Sequence, residues 1–334
     1  MNLHISNLRL CFLLSFLFVS MAFTSCIPYK PIGIQTLKPA ELSLPKNFSQ
    51  PVIVAGLYRG IQGVEESMAQ AAIDSTAALE TVLVLMETLY QSPLFAEIEI
   101  PVVINYREDT SRTIIAYDWS TIDSIANDNN ADLVISLEYM KLTPDIDSYS
   151  YWDGSLNAYY GYLTYKVYAY WRVYDPYTRK INAAYLYRDT LTWEKYDYTS
   201  VKVGYQLPGF FSAASYCGYA AGIDYAGMIA PSWMDENRVY FAKGSKEMRK
   251  GADFIKENKW LDAASQWQGV ITTENSKPKL CAQAAFNLAL ANEILGNFDV
   301  AKEWLKKSEE YYNIPEIEWY TKILDYRIRV MDKL

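Results

Sequence analysis

Hydrophobic positions along the chain follow first a strand period and then a helix period. "PVIVAGLY", from residue 51, is an apolar run typical of a buried strand. From about Val64 to Tyr90, apolar residues recur every three or four positions, which predicts a helix that ends before Pro93. A strand in "AEIEIPVVI", a short helix in "STIDSIANDNN" capped by Ser120 or Thr121, and a strand in "ADLVISLEYMKL" follow. This order predicts an α+β or α/β domain with helices packed on a mixed sheet.

A tyrosine-rich hairpin comes next. "YYGYLTYKVYAYWRVYDPYTRK", residues 159–180, holds eight tyrosines, and period two places Trp171 on one face of this strand and its even-numbered tyrosines on the other. "DPYTRK" is a turn, and "INAAYLYRDTLTW" is the returning strand. If Asp175 and Lys180 close the hairpin, the predicted cross-strand pairs are Arg172 with Ala183, Tyr170 with Tyr185, Tyr168 with Tyr187 and Lys166 with Asp189.

This register defines a candidate aromatic surface on one face of the hairpin. Its members are Tyr168, Tyr170, Tyr174, Tyr185 and Tyr187. If a helix covers these rings they belong to the core, which we favour slightly, and if the hairpin lies open they form a contact surface.

The run from Pro208 to about Pro231 carries small residues at Gly218, Gly222 and Ala226, a four-residue step that lets a helix approach its neighbour closely. A membrane span is the alternative. Polar residues such as Asp224 interrupt the run and it lacks the usual cationic flanks, so a buried packing helix is the expectation.

From Lys243 the chain becomes rich in helix formers and repeats itself with a step of 38 residues. "GADFIKENKWLDAASQWQGV" aligns with "ALANEILGNFDVAKEWLKKS", with Trp260 on Phe298 and Ala263 on Ala301. These residues resemble the tetratricopeptide repeat, and "IPEIEWYTKILDYRIRVMDKL" would be a capping helix.

The resemblance to this repeat implies a concave groove that binds extended peptides. The residues expected to face it are Met248, Ala252, Ile255, Gln283, Phe286, Leu290 and Glu293. The basic and asparagine clamp of some such domains is absent, because Phe286 and Leu290 occupy its places. The alternative, which the sequence leaves equally open, is a packed helical domain without a ligand.

The N-terminus has the features of a targeting segment. Arg9 precedes the apolar run "LCFLLSFLFVSMAF", which is about as long as a signal-peptide core, and "FTSC" resembles the lipobox of bacterial lipoproteins, with Cys26 as the lipidated residue. An ordinary cleaved signal peptide is the alternative. The proline-spaced segment that follows predicts a tether over residues 26–50. We therefore expect a signal peptide in 1–25, an α/β domain in 51–235 and helical repeats in 240–334.

Charge and residue types exclude several functions. The net charge is -8, so the clustered cations that bind nucleic-acid phosphates are not expected. His4 is the only histidine and would be lost with the signal peptide, which removes Ser-His-Asp catalysis and His-ligated zinc. Cys217 and Cys281 fit no metal motif, and we expect buried free thiols there rather than a disulfide. No cofactor or metal is expected.

One arrangement of carboxylates could support catalysis. Asp145, Asp147 and Asp153 lie in "TPDIDSYSYWDG", read as a loop mixed with aromatic residues. Paired carboxylates beside sugar-stacking rings are typical of glycoside hydrolases. Acidic residues in such segments more often form turns, so a hydrolase is the lesser alternative.

Several of these features together resemble a family of Bacteroidetes lipoproteins described as domain of unknown function 6340. They are the lipobox cysteine, "VIVAGLYRG", "ADLVISLEY", "YWRVYDPYTRKI" with "DTLTWE", "AAGIDYAGMIAPSW" and the terminal repeats, which span nearly all of the mature chain. The resemblance implies no known activity. The order of the N-terminal elements is also similar to the α/β domain of the curli-secretion lipoprotein, which favours a role in the envelope.

In that phylum, surface-exposed lipoproteins carry acidic residues after the cysteine, and "CIPYKPIG" has none. We therefore expect a periplasm-facing lipoprotein of the outer membrane that acts as a protein-binding adaptor or assembly scaffold and is not an enzyme. A structural protein that self-associates through its aromatic face is the alternative. The sequence predicts no oligomeric state.

Overall fold

The computed structural model describes residues 29–45, 47–59, 64–107, 114–152 and 154–331. These residues form two compact units, an α/β unit of residues 37–233 and a helical unit of residues 29–36 and 234–331. The strands are β1 Tyr29–Lys38, β2 Pro51–Tyr58, β3 Val102–Arg107, β4 Leu133–Trp152, β5 Asn157–Asp175, β6 Lys180–Asp197 and β7 Ser232–Phe241. The helices are α1 Glu65–Leu89, α2 Trp119–Asn129, α3 Ser200–Gln206, α4 Phe210–Ile229, α5 Lys246–Lys256, α6 Trp260–Thr272, α7 Pro278–Ile294, α8 Phe298–Tyr311 and α9 Glu316–Met331.

The α/β unit is built on a five-stranded mixed sheet with the order β3-β2-β4-β5-β6. β2 pairs in parallel with β3 and β4, whereas β4, β5 and β6 are antiparallel. The predicted fold class, a mixed sheet with packed helices and a long hairpin followed by an all-helical region, is confirmed. β4 is longer than predicted, because the strand continues through the acidic segment to Trp152.

One face of this sheet is covered by α1 and α4. Apolar side chains of β4 and β5, such as Leu142 and Trp171, pack there with Leu85 of α1 and Tyr225 of α4 in one cluster. Although α1 is long and apolar enough to cross a membrane, core helices pass the same test, and the buried side of α1 forms part of this core.

The small residues of α4 bring it close to α1, as the packing-helix interpretation expects. A Cβ atom added at Gly218 would lie 2.3 Å from the Ala77 carbonyl oxygen, and one at Gly222 would lie 2.6 Å from that of Thr81. Contacts this short leave no room for a side chain, so the two helix backbones lie almost against each other.

Among the residues that the structure describes, the opposite face of the sheet is covered at one corner only. There Ile122 of α2 packs with Val54 and Tyr174, and the ring of Trp119 stands edge-on to Tyr174 at 5.7 Å. α3 lies on the same face as α1 and α4, with Val203 against Gly161. The other face of β4–β6 is therefore left open elsewhere in the described sheet.

The hairpin register differs from the prediction by one residue. Asp175 pairs with Lys180 as expected, but Val173 pairs with Ala183 and Tyr174 with Ile181, so Asn182 is an extra residue in a β-bulge. Beyond the bulge, Trp171 lies opposite Tyr185, and Lys166 lies opposite Thr190 rather than Asp189. All four predicted cross-strand pairs are therefore wrong, because a shift of one residue moves every later side chain to the other face.

The helical unit consists of α5 to α9, with successive helices packed on one another. In the first helix pair, Gly251 lets α5 approach α6, since a Cβ atom there would lie 2.3 Å from Trp267 Nε1. Ala263 and Ala301, equivalent in the predicted repeat, are both fully buried. The small positions that predicted the repeat thus lie at the helix contacts.

The segment predicted as a tether is partly a strand of the helical unit. β1 and β7 form a two-stranded sheet, and Tyr29 and Ile32 pack against the helical core. Ile34 and Thr36 are buried. The prediction of a tether over residues 26–50 is therefore wrong for Tyr29–Lys38, whose pairing partner is about 200 residues away along the chain.

Candidate binding face

The uncovered face of β4, β5 and β6 carries eight tyrosines, and we call it the tyrosine face. The pairings place the side chains on alternate faces and bring these eight to the same one. Three of them are strongly exposed, with relative accessibilities of 51% for Tyr149, 61% for Tyr151 and 44% for Tyr196. The eight residues are Tyr139, Tyr149, Tyr151, Tyr160, Tyr162, Tyr168, Tyr170 and Tyr196.

The rings at the far end of the hairpin form one continuous row across the three strands. Tyr149 stacks on Tyr160 at 4.9 Å and on Tyr162 at 5.8 Å between ring centroids, with interplanar angles of 14° and 19°. Tyr160 reaches Tyr196 on β6 at 5.2 Å. Because the rings stack on one another, their outer edges and hydroxyl groups are what a ligand would meet.

Two hydroxyl groups of this row, those of Tyr160 and Tyr162, are neutral hydrogen-bonding groups. The Tyr162 hydroxyl lies 3.2 Å from that of Tyr149 and donates to Glu194 across the strand pair at 3.1 Å. The hydrogen bond with Tyr149, burial and the nearby Glu194 carboxylate all raise the pKa of Tyr162. Burial, reinforced by Tyr149, also raises the pKa of Tyr160, so neither group ionises at physiological pH.

A buried ionic cluster fixes the other end of the tyrosine face. β4 shifts register between Leu137 and Tyr139, so Glu138 is an extra residue there and is 1% exposed. Both Arg172 and the Tyr174 hydroxyl donate to its carboxylate. Burial raises the pKa of Glu138, although the Tyr174 hydrogen bond and the Arg172 charge oppose this. The Arg172 guanidinium in turn lies 4.6 Å from the ring centroid of Tyr170 and positions that ring.

The structure distributes the five predicted aromatic residues over three environments. Tyr168 and Tyr170 lie on the tyrosine face, half buried. Tyr174 is fully buried beneath α2. Tyr185 and Tyr187 lie on the opposite, helix-covered face because of the Asn182 bulge, and the Tyr185 ring stacks on Tyr225 of α4 at 5.8 Å. The prediction that all five tyrosines share one face is therefore wrong, because helices cover Tyr174, Tyr185 and Tyr187.

Sequence reasoning missed Tyr139, Tyr149, Tyr151, Tyr160, Tyr162 and Tyr196. Tyr160 and Tyr162 share the parity of Tyr168 on the same strand, which was enough to find them. Tyr149 and Tyr151 alternate with serines in "SYSYW", a strand pattern that the acidic residues before it obscured.

The residues predicted to line a peptide groove are instead part of the helical core. Phe286 and Leu290 are 0% exposed, and Phe286 packs against Phe241 of β7 and Tyr320 of α9. The only member that is not buried is Gln283, which is half exposed. The expected open groove at Met248, Ala252, Ile255, Phe286, Leu290 and Glu293 is therefore not present, because β7 and the capping helix fill it.

β7 is held on α7 by a side-chain amide. The Asn287 Oδ1 atom accepts from the Phe241 backbone N–H at 2.8 Å, and its Nδ2 donates to the Phe241 carbonyl at 2.7 Å. Asn287 is fully buried, so it satisfies both backbone groups of Phe241 away from water. Asn287, one residue after Phe286, therefore binds the backbone of a strand of the same chain and not a separate peptide.

Glu293 is the centre of a second buried ionic cluster. Arg238 of β7 donates to both of its carboxylate oxygens at 2.9 to 3.2 Å, and Arg327 of α9 donates to Oε1 at 2.6 Å. Burial alone would raise the pKa of Glu293, but Arg238, the Tyr320 hydroxyl and Arg327 hold it below its ordinary value. These contacts fix β7 and α9 on α7, so Glu293 has a structural role.

Asp145 and Asp147 are exposed on β4, on the open face of the sheet. Asp147 lines an open pocket beside β5 and α3 that Asp145 does not reach, so the two carboxylates do not converge in one cleft. Asp153 and Cys26 lie outside the described residues. Cys217 and Cys281 are buried free thiols. Nowhere in the described ranges do three or more His, Cys, Asp or Glu side chains come together as a metal site.

Two family models match the chain. The model described as domain of unknown function (DUF8603) matches residues 58–241, more than half of the chain. The chain belongs to this family. The model of domain of unknown function (DUF6340) matches residues 249–330. The resemblance to the second family therefore covers the helical repeats only, and most of the motifs quoted for it from the α/β unit lie in the DUF8603 match. No curated protein matches the chain significantly.

Some solved structures are similar to parts of the chain. The PelC dodecamer from Paraburkholderia phytofirmans is 12% identical, over 60% of this chain and 99% of that one, with a TM-score of 0.21. A Helicobacter pylori homologue of neuraminyllactose-binding hemagglutinin is 11% identical, over 66% of this chain and 95% of that one, with a TM-score of 0.31. At these scores neither likeness supports a functional argument.

Proposed function

We propose that the chain is a non-catalytic adaptor or scaffold of the bacterial envelope, held at a membrane by a lipid on Cys26, and that it binds a protein partner through the tyrosine face. The observation that carries this proposal is the uncovered row of stacked tyrosines across β4, β5 and β6. Contiguous exposed apolar patches often mark interaction sites, and tyrosine is enriched among the residues that dominate binding at protein interfaces.

The ring arrangement favours a protein over a carbohydrate ligand. A sugar ring stacks on the flat side of an aromatic ring. The flat sides of Tyr149 and Tyr160 are directed at each other, at 4.9 Å, and Tyr162 and Tyr196 extend the row. Tyrosine edges with neutral hydroxyl groups fit the mixed apolar and hydrogen-bonding surface of a protein.

The charges around the row fit the same partner class. The charges on this face are balanced, so no single sign of charge dominates: the cations are Lys141, Lys166 and Arg188, and the anions are Asp145, Asp147 and Glu194. A neutral patch of this kind does not select nucleic acid, and it leaves specificity to shape and hydrogen bonds. The hydrolase alternative is less favoured, because Asp145 and Asp147 are exposed on an open strand.

The attachment is proposed from the sequence "FTSC" at residues 23–26, and from the absence of acidic residues directly after Cys26. We infer a periplasm-facing position at the outer membrane of a Bacteroidetes cell. Anchoring confines the chain to two dimensions and raises its effective concentration near other envelope proteins, so a modest interface is enough for binding.

Site-specific photocrosslinking in the native envelope tests the proposal. A photoreactive side chain at Tyr151 is expected to give a discrete adduct with another protein. The matched control is Tyr177 in the β5–β6 turn, which is 94% exposed but lies outside the tyrosine face, and no such adduct is expected there. Monomer alone at both positions would contradict the proposal, and an adduct of two copies of the chain would favour the structural, self-associating alternative.

A further inference from the structure

The strand that follows the candidate anchor belongs to the helical unit. β1 begins at Tyr29, three residues after Cys26, and three residues of extended chain span about 11 Å at most. The Tyr29 ring stands edge-on to Phe241 at 6.3 Å, and Phe241 is held by Asn287 of α7. A lipid on Cys26 therefore places this corner of the helical unit directly at the membrane surface.

The helix beside this corner is α5. Tyr29 packs against the same core cluster as Met248 and Ala252 of α5. The pKa of Asp253 on α5 is lowered mainly by Lys256 and also by the charge of Lys30 on β1, which requires the two elements to be close. The exposed side of α5 thus lies next to the start of β1.

That side of α5 is positively charged in a chain that is acidic overall. The chain has 31 Lys and Arg against 39 Asp and Glu. On α5, Lys246, Arg249 and Lys250 are exposed at spacings that put them on one side of the helix, opposite the buried Met248 and Ala252. Lys243, just before the helix, is exposed as well. We call these four residues the basic face: Lys243, Lys246, Arg249 and Lys250.

Two carboxylates adjoin the basic face. Asp253, on the same side of α5, is paired with Lys256. The pKa of Glu247 is lowered first by hydrogen bonds with its own backbone N–H and with Ser245, and then by the charges of Lys246 and Arg249. Lys256 and Lys259 form ion pairs with Asp253 and Glu257, at 2.7 and 2.6 Å, and their charges are matched. The four residues of the basic face take part in no ion pair within the described ranges. Four exposed cations that form no ion pairs in the described ranges, beside a membrane attachment point, leave a net positive charge that attracts anionic headgroups.

We propose that the basic face docks on anionic phospholipids of the membrane that carries the anchor. This inference rests on the proposed lipid attachment at Cys26 and adds a second contact with the same membrane. A lipid anchor alone leaves a protein free to rotate about its attachment, whereas the basic face fixes which side of the helical unit meets the headgroups. Electrostatic attraction of this kind weakens as salt screens it.

Sedimentation with lipid vesicles tests the inference without the anchor. The mature chain, from residue 26 and with Cys26→Ser, is mixed with vesicles of phosphatidylcholine alone or of phosphatidylcholine with phosphatidylglycerol. Binding is expected only to the second kind and is expected to fall as salt is added. The triple variant Lys246→Glu, Arg249→Glu and Lys250→Glu is expected to lose on the order of fivefold in affinity per reversed charge.

The matched control reverses three other exposed cations of the same unit, Lys277→Glu, Lys306→Glu and Lys307→Glu, and so changes the net charge equally. The control is expected to keep most of the vesicle binding, and circular dichroism checks that both variants are folded. Equal losses in the two variants, binding to phosphatidylcholine alone, or no binding at all would overturn the inference.

Mass spectrometry of the chain isolated from cells separates this inference from the proposed attachment. If Cys26 carries the lipid and the vesicles are not bound, the basic face is not a membrane contact, while the anchored adaptor stands. If Cys26 carries no lipid, the attachment itself is wrong, and this inference, which rests on it, is withdrawn whatever the vesicles show.

Discussion

At the residue scale, Asn182 decides which tyrosines of the hairpin lie on the open face of the sheet. As the extra residue of a β-bulge, it turns Tyr185 and Tyr187 under α4 and leaves Tyr168 and Tyr170 on the tyrosine face. A bulge adds one residue to one strand without changing the alternation on either side of it. The sequence alone therefore predicts which residues of β5 share a face. It does not predict which residues of β6 lie on that same face, because this depends on the bulge.

The two classes of tyrosine are expected to differ in their effect on stability. Tyr187 is 7% exposed in the core, so Tyr187→Ala is expected to lower the free energy of unfolding by about 3 kcal/mol or more through the cavity it leaves. Tyr168→Ala, on the half-buried face, is expected to cost about 1 kcal/mol or less. Urea unfolding followed by circular dichroism measures both, and equal costs would contradict the assignment of faces.

Glu293 is expected to make the helical unit sensitive to acid. Its folded pKa lies below the unfolded value, so the carboxylate stabilises the fold above an unfolded pKa of about 4.3, and this contribution is lost as the pH falls through the folded pKa. Glu293→Gln leaves Arg238 and Arg327 without their shared carboxylate, and is expected to cost about 3 to 5 kcal/mol at pH 7.

The difference in stability between the parent chain and Glu293→Gln isolates the contribution of Glu293, because all other titrating groups are common to both. Thermal unfolding at neutral pH and at pH values below about 4.3 is expected to show a smaller gap in stability between the parent chain and Glu293→Gln as the pH falls through the folded pKa. A gap that is independent of pH would show that the Glu293 carboxylate has no lowered pKa.

At the element scale, the contact between α1 and α4 depends on two glycines. Gly218→Ala puts a methyl group about 2.3 Å from the Ala77 carbonyl oxygen, so the helices must separate, and we expect a loss of about 1 to 3 kcal/mol. Gly227→Ala, near the end of the same helix, meets nothing within 4 Å and is expected to stabilise by about 0.5 to 1 kcal/mol. Thermal unfolding compares the two, and a loss at Gly227 as large as that at Gly218 would contradict the close packing.

Most helices and strands of this chain were predictable from the sequence, whereas the elements against which they pair or pack were not. Apolar spacing predicted α1 and the pattern of small residues predicted α4, because each helix has to bury one side. β1 was missed because "YKPIGIQTLK" has a proline and a glycine and pairs with a strand about 200 residues later. The repeat pattern likewise predicted the helix pairs of α5–α8 but not the strand that fills their groove.

At the scale of the whole molecule, the two units differ in what they leave exposed. In the helical unit, the surface expected to bind peptides is closed by β7 and α9. In the α/β unit, the long hairpin leaves a sheet face with tyrosines open to solvent. The proposed contact with a protein therefore belongs to the α/β unit, and the proposed contact with lipid belongs to the helical unit.

The lipid anchor is expected to govern the distribution of the chain in the cell. Cys26→Ser removes the only candidate acceptor in "FTSC" and is expected to move most of the protein from the membrane fraction to the soluble periplasmic fraction. Cell fractionation followed by immunoblotting measures this. A chain that stays fully in the membrane fraction without Cys26 would show that another contact retains it.

Chemical footprinting of tyrosines tests the central claim most directly, since it needs no variant. Nitration of the purified chain and of the chain in intact envelopes, read by mass spectrometry, compares Tyr151 and Tyr196 of the tyrosine face with Tyr177 and Tyr205, which are 94% and 85% exposed elsewhere. A partner seated on the tyrosine face predicts that Tyr151 and Tyr196 react in the purified chain and are protected in the envelope, while Tyr177 and Tyr205 react in both. Equal reactivity of all four tyrosines in the envelope would contradict the claim.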